Sequence, residues 1–307
     1  MKPMRLAAVM FAAAVGFAPL TASAAPAAIP AAVTADPAPD KAHPADMQYA
    51  GVPSHGVVIN GVIYLAAGAG PHPTLLLLHG LPGLEQNLDL AQAARRAGWN
   101  VLTLHYRGAW GSPGTFSFTS SAEDCLAALA WLRDPAVAAK YRIDAGRIAV
   151  AGHSMGGYMT AATLAADKKV LGGALFAPGD IGAMDLQVIA SGAPDPRAIG
   201  AKALNDNGLQ GLNTTAEALA DDLLAHAKTE NFVAFTPALA DRPLLLVTAD
   251  DGFRGFADGL AERTRKLGNR RVTQIHFADD HAFDAHRVAL AGALVDWLNQ
   301  LVPPARP

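Results

Sequence analysis

Cysteine is almost missing from this sequence. Cys125 is the only one, so no intramolecular disulfide can form and stability must come from a packed core. No sign of charge dominates either. Lys and Arg total 24 against 27 Asp and Glu, and the scattered basic residues exclude a broad surface for nucleic acid or anionic membrane. The tightest basic run, Arg263 to Arg271, falls at an expected helix end and turn and reads as a solvated face. The glycine-containing segments hold neither G-x-G-x-x-G nor a phosphate-cradling lysine motif, so no nucleotide cofactor is implied. Nor is a metal: His281 and His286, the histidines of the acidic stretch 279–286, are five residues apart and do not share a helix face. No fixed-period repeat is visible, and beyond the first 24 residues no apolar run is long enough to span a bilayer.

Hydrophobic residues, by contrast, are abundant. They make up 51% of the 307 residues, while 17% are charged, which is too apolar for a disordered chain and sufficient for one sizeable core. Residues 1–24 read as a secretory signal peptide. Lys2 and Arg5 precede the apolar stretch Leu6 to Leu20, and Ala22-Ser23-Ala24 forms a small-residue cleavage site. A periplasmic or secreted protein with no stable membrane anchor is therefore expected. The absence of cysteine near that site excludes a bacterial lipoprotein. Residues 25–50, rich in Ala and Pro, read as an extended linker, and residues 51–307 as the folded domain.

Within that domain strand and helix signals alternate. Residues 56–67 are expected to form two short strands about an Asn60-Gly61 turn. Strands are predicted at 74–78, 100–105, 147–151, 170–176, 243–248 and 272–277. Helices are predicted at 85–98, from Ser120 to Pro135, at 155–166, at 255–267 and along the apolar stripe Leu290, Leu294, Trp297, Leu298 and Leu301. Short apolar strands separated by helices imply a mainly parallel, doubly wound α/β sheet covered on both faces. Residues 179–240 interrupt the alternation. An insertion of that length, with at least one helix near 215–229, is expected to be a lid, and its acids Asp221 and Asp222, on a probable helix, are expected to be solvated.

The chemistry centres on Gly152-His153-Ser154-Met155-Gly156, a G-x-S-x-G placed between a strand and a helix. A tight turn there exposes the Ser154 hydroxyl, and the helix N-terminus favours developing negative charge. A serine hydroxyl needs a general base. Of ten histidines, His281 has the right place, just beyond the last strand and before the last helix. His276 lies inside a strand and is expected to be packed or paired, and His286 is expected at the surface one turn into the helix. The imidazolium in turn needs a carboxylate. Asp250 and Asp251 both follow the strand 243–248; Asp251, deeper in the loop, is favoured, with Asp250 as competitor. Two backbone N–H groups, of Leu81 in His79-Gly80-Leu81-Pro82-Gly83 and of Met155, are the expected oxyanion donors; Pro82 has none to give. Trp110, Phe116 and Phe118 are candidates to line an acyl pocket and Tyr158 a further substrate-pocket candidate, Arg107 is expected to tie its loop to a neighbouring acid, and Cys125, on a helical apolar stripe, is expected in the core.

These motifs together resemble the α/β-hydrolase superfamily. The segment His105-Tyr106-Arg107-Gly108-Ala109-Trp110-Gly111-Ser112-Pro113-Gly114 and the run Asp280-His281-Ala282-Phe283 resemble its prolyl-oligopeptidase-like and dienelactone-hydrolase-like branches. The resemblance implies an α/β-hydrolase fold over roughly 55–303 and a Ser-His-Asp hydrolase needing no cofactor. Three functions are expected in descending order. The first is cleavage of small-molecule acyl esters through an acyl-enzyme, the second a small exopeptidase acting on short peptides, and the third a non-catalytic binding protein on the same scaffold.

Overall fold

A computed structural model describes residues 28–303; the expected signal peptide lies outside the described residues. After a single turn, α1 (Ala31–Thr34), the chain enters β1 (Asp46–Ser54), β2 (Val57–Leu65) and β3 (His72–Leu78), followed by α2 (Leu88–Arg96) and β4 (Asn100–Leu104). Next come α3 (Phe118–Arg133), α4 (Pro135–Tyr141), β5 (Ile143–His153), α5 (Met155–Ala166) and β6 (Gly173–Phe176). The insertion contributes α6 (Ile181–Ala190), α7 (Pro196–Asn207), α8 (Ala216–His226) and α9 (Phe232–Leu239). The chain closes with β7 (Leu244–Thr248), α10 (Arg254–Lys266), β8 (Val272–His276) and α11 (Arg287–Leu301). No helix among the described residues is long and apolar enough to cross a membrane.

The strands form one sheet in the order β1-β2-β4-β3-β5-β6-β7-β8. β1, β2 and β4 pair antiparallel, and from β4 to β8 every pairing is parallel. The central strands are apolar on both sides because both faces are covered. Successive side chains point to opposite faces, so Leu76 and Leu78 join one core with α3 and α5, while Leu75 and Leu77 join another with α2 and α11. β4 and β5 divide in the same way, Leu102 and Val150 to the first core and Val101 and Ala149 to the second. Cys125 is fully buried in the first, where burial pushes its thiol up to about 12.

Two sequence expectations require correction. The first hairpin does not turn at Asn60-Gly61. It turns at His55-Gly56, both residues at positive φ (45° and 85°) as a two-residue hairpin turn demands. Gly61 sits inside β2 between two partners, opposite Ala50 and Leu104. A Cβ there would stand 2.8 Å from the Thr103 carbonyl oxygen, so this glycine serves close strand approach. Residues 25–50 are also not a free linker throughout. Arg96 Nε donates to the Ala32 carbonyl at 2.6 Å, a Cβ on Gly292 of α11 would meet Ile29 and Pro30, and Asp46 to Ala50 pair as strand β1. Proline and alanine gave no periodicity by which to see this, and part of the anchoring is made by the backbone carbonyls of Ala32 and Val33.

The insertion packs as a helical layer between β6 and β7. Its largest internal contact joins α7 to α8, and α9 rests on α5 and α10. Asp222 fastens it to the main body. Its Oδ2 accepts from the Phe118 and Thr119 N–H groups at 2.8 and 3.0 Å, and its Oδ1 from the Thr119 hydroxyl at 2.6 Å. Asp222 was expected to be solvated; its carboxylate instead caps the first turn of α3. Neighbouring Asp221 does face solvent, paired with Arg197.

Candidate active site

Between β5 and α5 the chain turns so tightly that Ser154 adopts φ 57°, ψ −120°, a region that side-chain-bearing residues rarely occupy. The turn is possible because of the glycines two residues to either side. A Cβ on Gly152 would lie 2.1 Å from the Gly156 carbonyl oxygen, and one on Gly156 would lie 2.2 Å from that of Leu78. The Ser154 N–H donates to the Phe176 carbonyl at 2.9 Å, which holds the turn against β6. Ser154 is thereby left half-buried at the N-terminus of α5, at the C-terminal edge of the parallel strands.

His281 comes from the loop between β8 and α11. Asp280 Oδ1 accepts from the Ala282 and Asp284 N–H groups, at 3.0 and 3.2 Å, which shapes that loop around the histidine. His153 supports it from below: its Nε2–H donates to the His281 carbonyl at 2.6 Å, and the two rings lie 4.6 Å apart. Burial pushes the His153 imidazole down to about 4, so it is neutral at ordinary pH. Phe253 closes another side, its ring edge-on to His281 at 5.3 Å.

The two adjacent acids have different partners. His281 Nδ1 donates to Asp251 Oδ2 at 2.7 Å, and the Phe253 N–H donates to Asp251 Oδ1 at 2.9 Å. The Asp251 side chain is 3% exposed. That of Asp250 is 63% exposed and lies 3.3 Å from His276 Nε2. His276 is paired as expected, and His276 Nδ1 also meets the Thr248 hydroxyl at 3.0 Å. His286 is not a free surface residue within a helix. It is the N-cap residue of α11, stacked on Phe277, with Nδ1 2.8 Å from Asp279 Oδ2.

Ser154, Met155, Leu81, Asp251 and His281 all line one cavity of ≈ 510 Å³. With Nδ1 committed to Asp251, Nε2 is the nitrogen of His281 free to accept a proton. Among the described residues no hydrogen bond yet joins it to Ser154 Oγ; such contacts commonly tighten once substrate is bound. The His79–Gly83 loop is braced from behind. The buried His79 donates from Nδ1 to the Gly80 carbonyl at 2.7 Å, Tyr106 donates to the His79 carbonyl at 3.2 Å, and Trp110 Nε1 donates to the Pro82 carbonyl at 2.7 Å. As the first helical residue of α5, Met155 has an N–H with no intrahelical acceptor.

Of the four aromatics expected at the pocket, Phe118 lines this cavity and Trp110, Phe116 and Tyr158 do not. Trp110 engages its indole N–H with the His79–Gly83 loop. Phe116, 1% exposed, packs in the core between Tyr106 and Phe118. Tyr158, 3% exposed, donates to the Glu230 carbonyl at 2.8 Å and ties α5 to the insertion. Beside Phe118, the apolar walls come from the insertion, with Ile181, Met184 and Val188 on α6 and Ile199 on α7. Those α6 positions, spaced i, i+3 and i+7, were a legible helix face. Which surface that face would meet was not. Arg107 does tie its loop to acids: Nε donates to the buried Asp124 at 2.7 Å, and Nη2 pairs with Glu123.

A doubly wound sheet with a strained serine at a strand–helix turn, and a carboxylate-held histidine beyond the last strand, defines the class of α/β hydrolases. The comparisons agree. The chain belongs to the family described as alpha/beta hydrolase fold, which matches residues 84–285, more than half its length. The carboxylesterase EstE1 from a metagenomic library is similar in structure, with a TM-score of 0.61 and 24% identity over 85% of this chain and 91% of that one. An esterase from Pyrobaculum calidifontis gives 0.60 and 22% over 85% and 86%. Dipeptidyl peptidase 4 of Porphyromonas gingivalis gives 0.59 and 17% over 84% of this chain but 35% of that one. At these identities the likeness is one of fold. No curated protein matches the sequence.

Proposed function

We propose that this chain is a serine hydrolase that cleaves carboxylic esters through an acyl-enzyme, with Ser154 as nucleophile, His281 as base and Asp251 as the orienting acid. The observation that carries the reading is the 2.7 Å bond from His281 Nδ1 to the buried Asp251, made at the cavity that also holds the strained Ser154. Ser154 Oγ attacks the ester carbonyl carbon, and its proton passes to His281 Nε2. The oxyanion forms against the N–H groups of Leu81 and Met155 and is further favoured by the N-terminus of α5. On collapse the C–O bond to the alcohol breaks, and His281 returns the proton to the departing oxygen. Water, deprotonated by His281, then attacks the acyl carbon and releases the acid and free Ser154. The insertion 179–240 forms the pocket's apolar wall and acts as its lid.

Esters are favoured over peptides because their alcohols leave with little help, whereas amides need an amine held in a defined pose for protonation. The mostly apolar cavity supports small to medium acyl groups. Export belongs to the same proposal: the basic, apolar, Ala-x-Ala order of residues 1–24 supports a mature chain starting at Ala25, which an N-terminal mass of the exported protein would test.

The test is a substrate panel. Wild type should hydrolyse p-nitrophenyl acetate and butyrate with a higher kcat/KM than aminoacyl or dipeptidyl nitroanilides. Ser154→Ala should lose on the order of 10³- to 10⁶-fold in turnover with an unchanged thermal melt. A clear preference for nitroanilides would replace the esterase with a peptidase, and an active Ser154→Ala would end the serine mechanism.

A further inference from the structure

On the insertion side of the active-site cavity lies a carboxyl whose buried oxygen has no partner among the described residues. Asp185 is on α6, one residue after Met184, within the cavity-facing stripe formed by Ile181, Met184 and Val188. It is 7% exposed and lines the same cavity as Ser154 and His281. Its Oδ2 is buried with no hydrogen-bond partner among the described residues. Other buried acids are all engaged: Asp124 with Arg107 and Ser54, Asp180 with the N–H groups of Ala183 and Phe232, and Asp251 with His281. Desolvation alone moves the Asp185 carboxyl, raising it to about 6, and among the described residues no cation opposes that rise.

Neighbouring residues leave the group open. A Cβ on Gly200 of α7 would stand 3.9 Å from Asp185 Oδ1 and 3.5 Å from the Ala220 side chain of α8. The carboxyl therefore sits where three insertion helices meet, beside a glycine that also lines the cavity. A buried carboxylate without donor or countercharge is costly in free energy, so a ligand that supplies both binds with a gain that a neutral chain cannot match. A primary ammonium supplies both, with three N–H donors and a full positive charge. A hydroxyl supplies only the donor. The cavity that holds both Ser154 and Asp185 is lined mostly by apolar side chains, Ile181, Met184, Val188, Ile199 and Phe118 among them, which suits methylenes.

We propose that Asp185 binds a protonated amine carried by the substrate, so that the enzyme prefers esters in which a short hydrocarbon chain separates the ester from a primary ammonium group. The inference rests on the ester-hydrolase reading above and names its substrate class. The chemical step is unchanged. Asp185 takes no part in bond making and acts by binding and positioning the substrate.

The test uses the full-length chain and matched ester pairs that differ only in a terminal ammonium or methyl group. One series is methyl ω-aminoalkanoates against methyl alkanoates; the other is butyrates of ω-amino alcohols against butyrates of n-alkanols. At pH 7.5, wild type should favour the ammonium member on the order of ten-fold in kcat/KM at the best chain length of one series. Asp185→Asn, which keeps the shape and loses the charge, should reverse that preference. A second measurement does not depend on turnover: n-hexylammonium should raise the melting temperature of wild type and leave that of Asp185→Asn unmoved, and 1-hexanol should move neither differentially. If wild type cleaves neutral esters yet prefers the methyl member in both series, or if Asp185→Asn keeps the ammonium preference, the inference is overturned and the ester hydrolase stands. If wild type cleaves no ester, the parent reading and the substrate class both fall, while the melting shift still reports whether Asp185 takes a cation.

Discussion

Asp250 and Asp251 are adjacent, chemically identical and equally placed after a strand, yet their surroundings give them different work. Asp251 is shielded and accepts from both the His281 ring and the Phe253 N–H; Asp250 is largely in water and meets His276. A carboxylate orients an imidazole and stabilises its charged form most when it is buried and fixed. Asp251→Asn is expected to lower turnover on the order of 10³- to 10⁴-fold, whereas Asp250→Asn should change it less than about three-fold, as a surface substitution does. Steady-state kinetics on the two variants checks this, and a larger loss at Asp250 would reassign the acid. The sequence limited the acid to these two, because strand end and loop depth are legible in Pro243 to Asp251. Only the fold could show which carboxylate turns inward. The aromatics Trp110, Phe116 and Tyr158 failed for a related reason. Residue type indicates that a ring will be buried without indicating which surface buries it, and all three were taken up in bracing the loop, the core and the insertion.

The strands and helices of the main body were legible because each carries a local signal. The apolar run Thr74 to Leu78 needs cover on both faces, and the predicted helix at 155–166 has the bounds observed for α5. The insertion was less legible, since four short helices give weak periodicity and the contacts that dock them, polar ones included, lie far away in sequence. Asp222 is the clearest of these, spanning 104 residues of sequence to cap α3 at Phe118. Asp222→Ala should remove the cap and cost about 1 kcal/mol, which lowers the melting temperature by about 2–4 °C in a domain of this size. Because Phe118 lines the cavity, the same variant should raise KM for butyrate esters more than it lowers kcat. Calorimetry and kinetics on one preparation test both, and an unchanged melt would show that the insertion is held by its apolar contacts alone.

At the scale of the whole molecule, the site's supports make the fold sensitive to acid. His79 and His153 are buried, and loss of water pushes each down from 6.5 to about 4. A histidine with a depressed folded value contributes stability that is present above about pH 6.5 and is lost as pH falls toward about 4, on the order of 3 kcal/mol each. Asp185 has the opposite sign. Its raised value of about 6 contributes stability that is present below its ordinary value near 3.8 and is lost as pH rises through 6. The wild-type melting temperature should therefore fall between pH 6.5 and 4.5, and that of Asp185→Asn should fall more steeply, because it lacks the stabilising proton uptake. A melting temperature independent of pH over that range would contradict the burial of both histidines. The sheet that carries these groups places Ser154, His281 and Asp251, which are up to 127 residues apart in sequence, at one cavity, and the account depends most on the first of them. The direct measurement is to treat the intact protein with a fluorophosphonate, weigh it and map the adduct by peptide mass spectrometry. The account predicts one adduct per chain, on Ser154, suppressed in His281→Ala; an unmodified chain, or an adduct on any other residue, would contradict it.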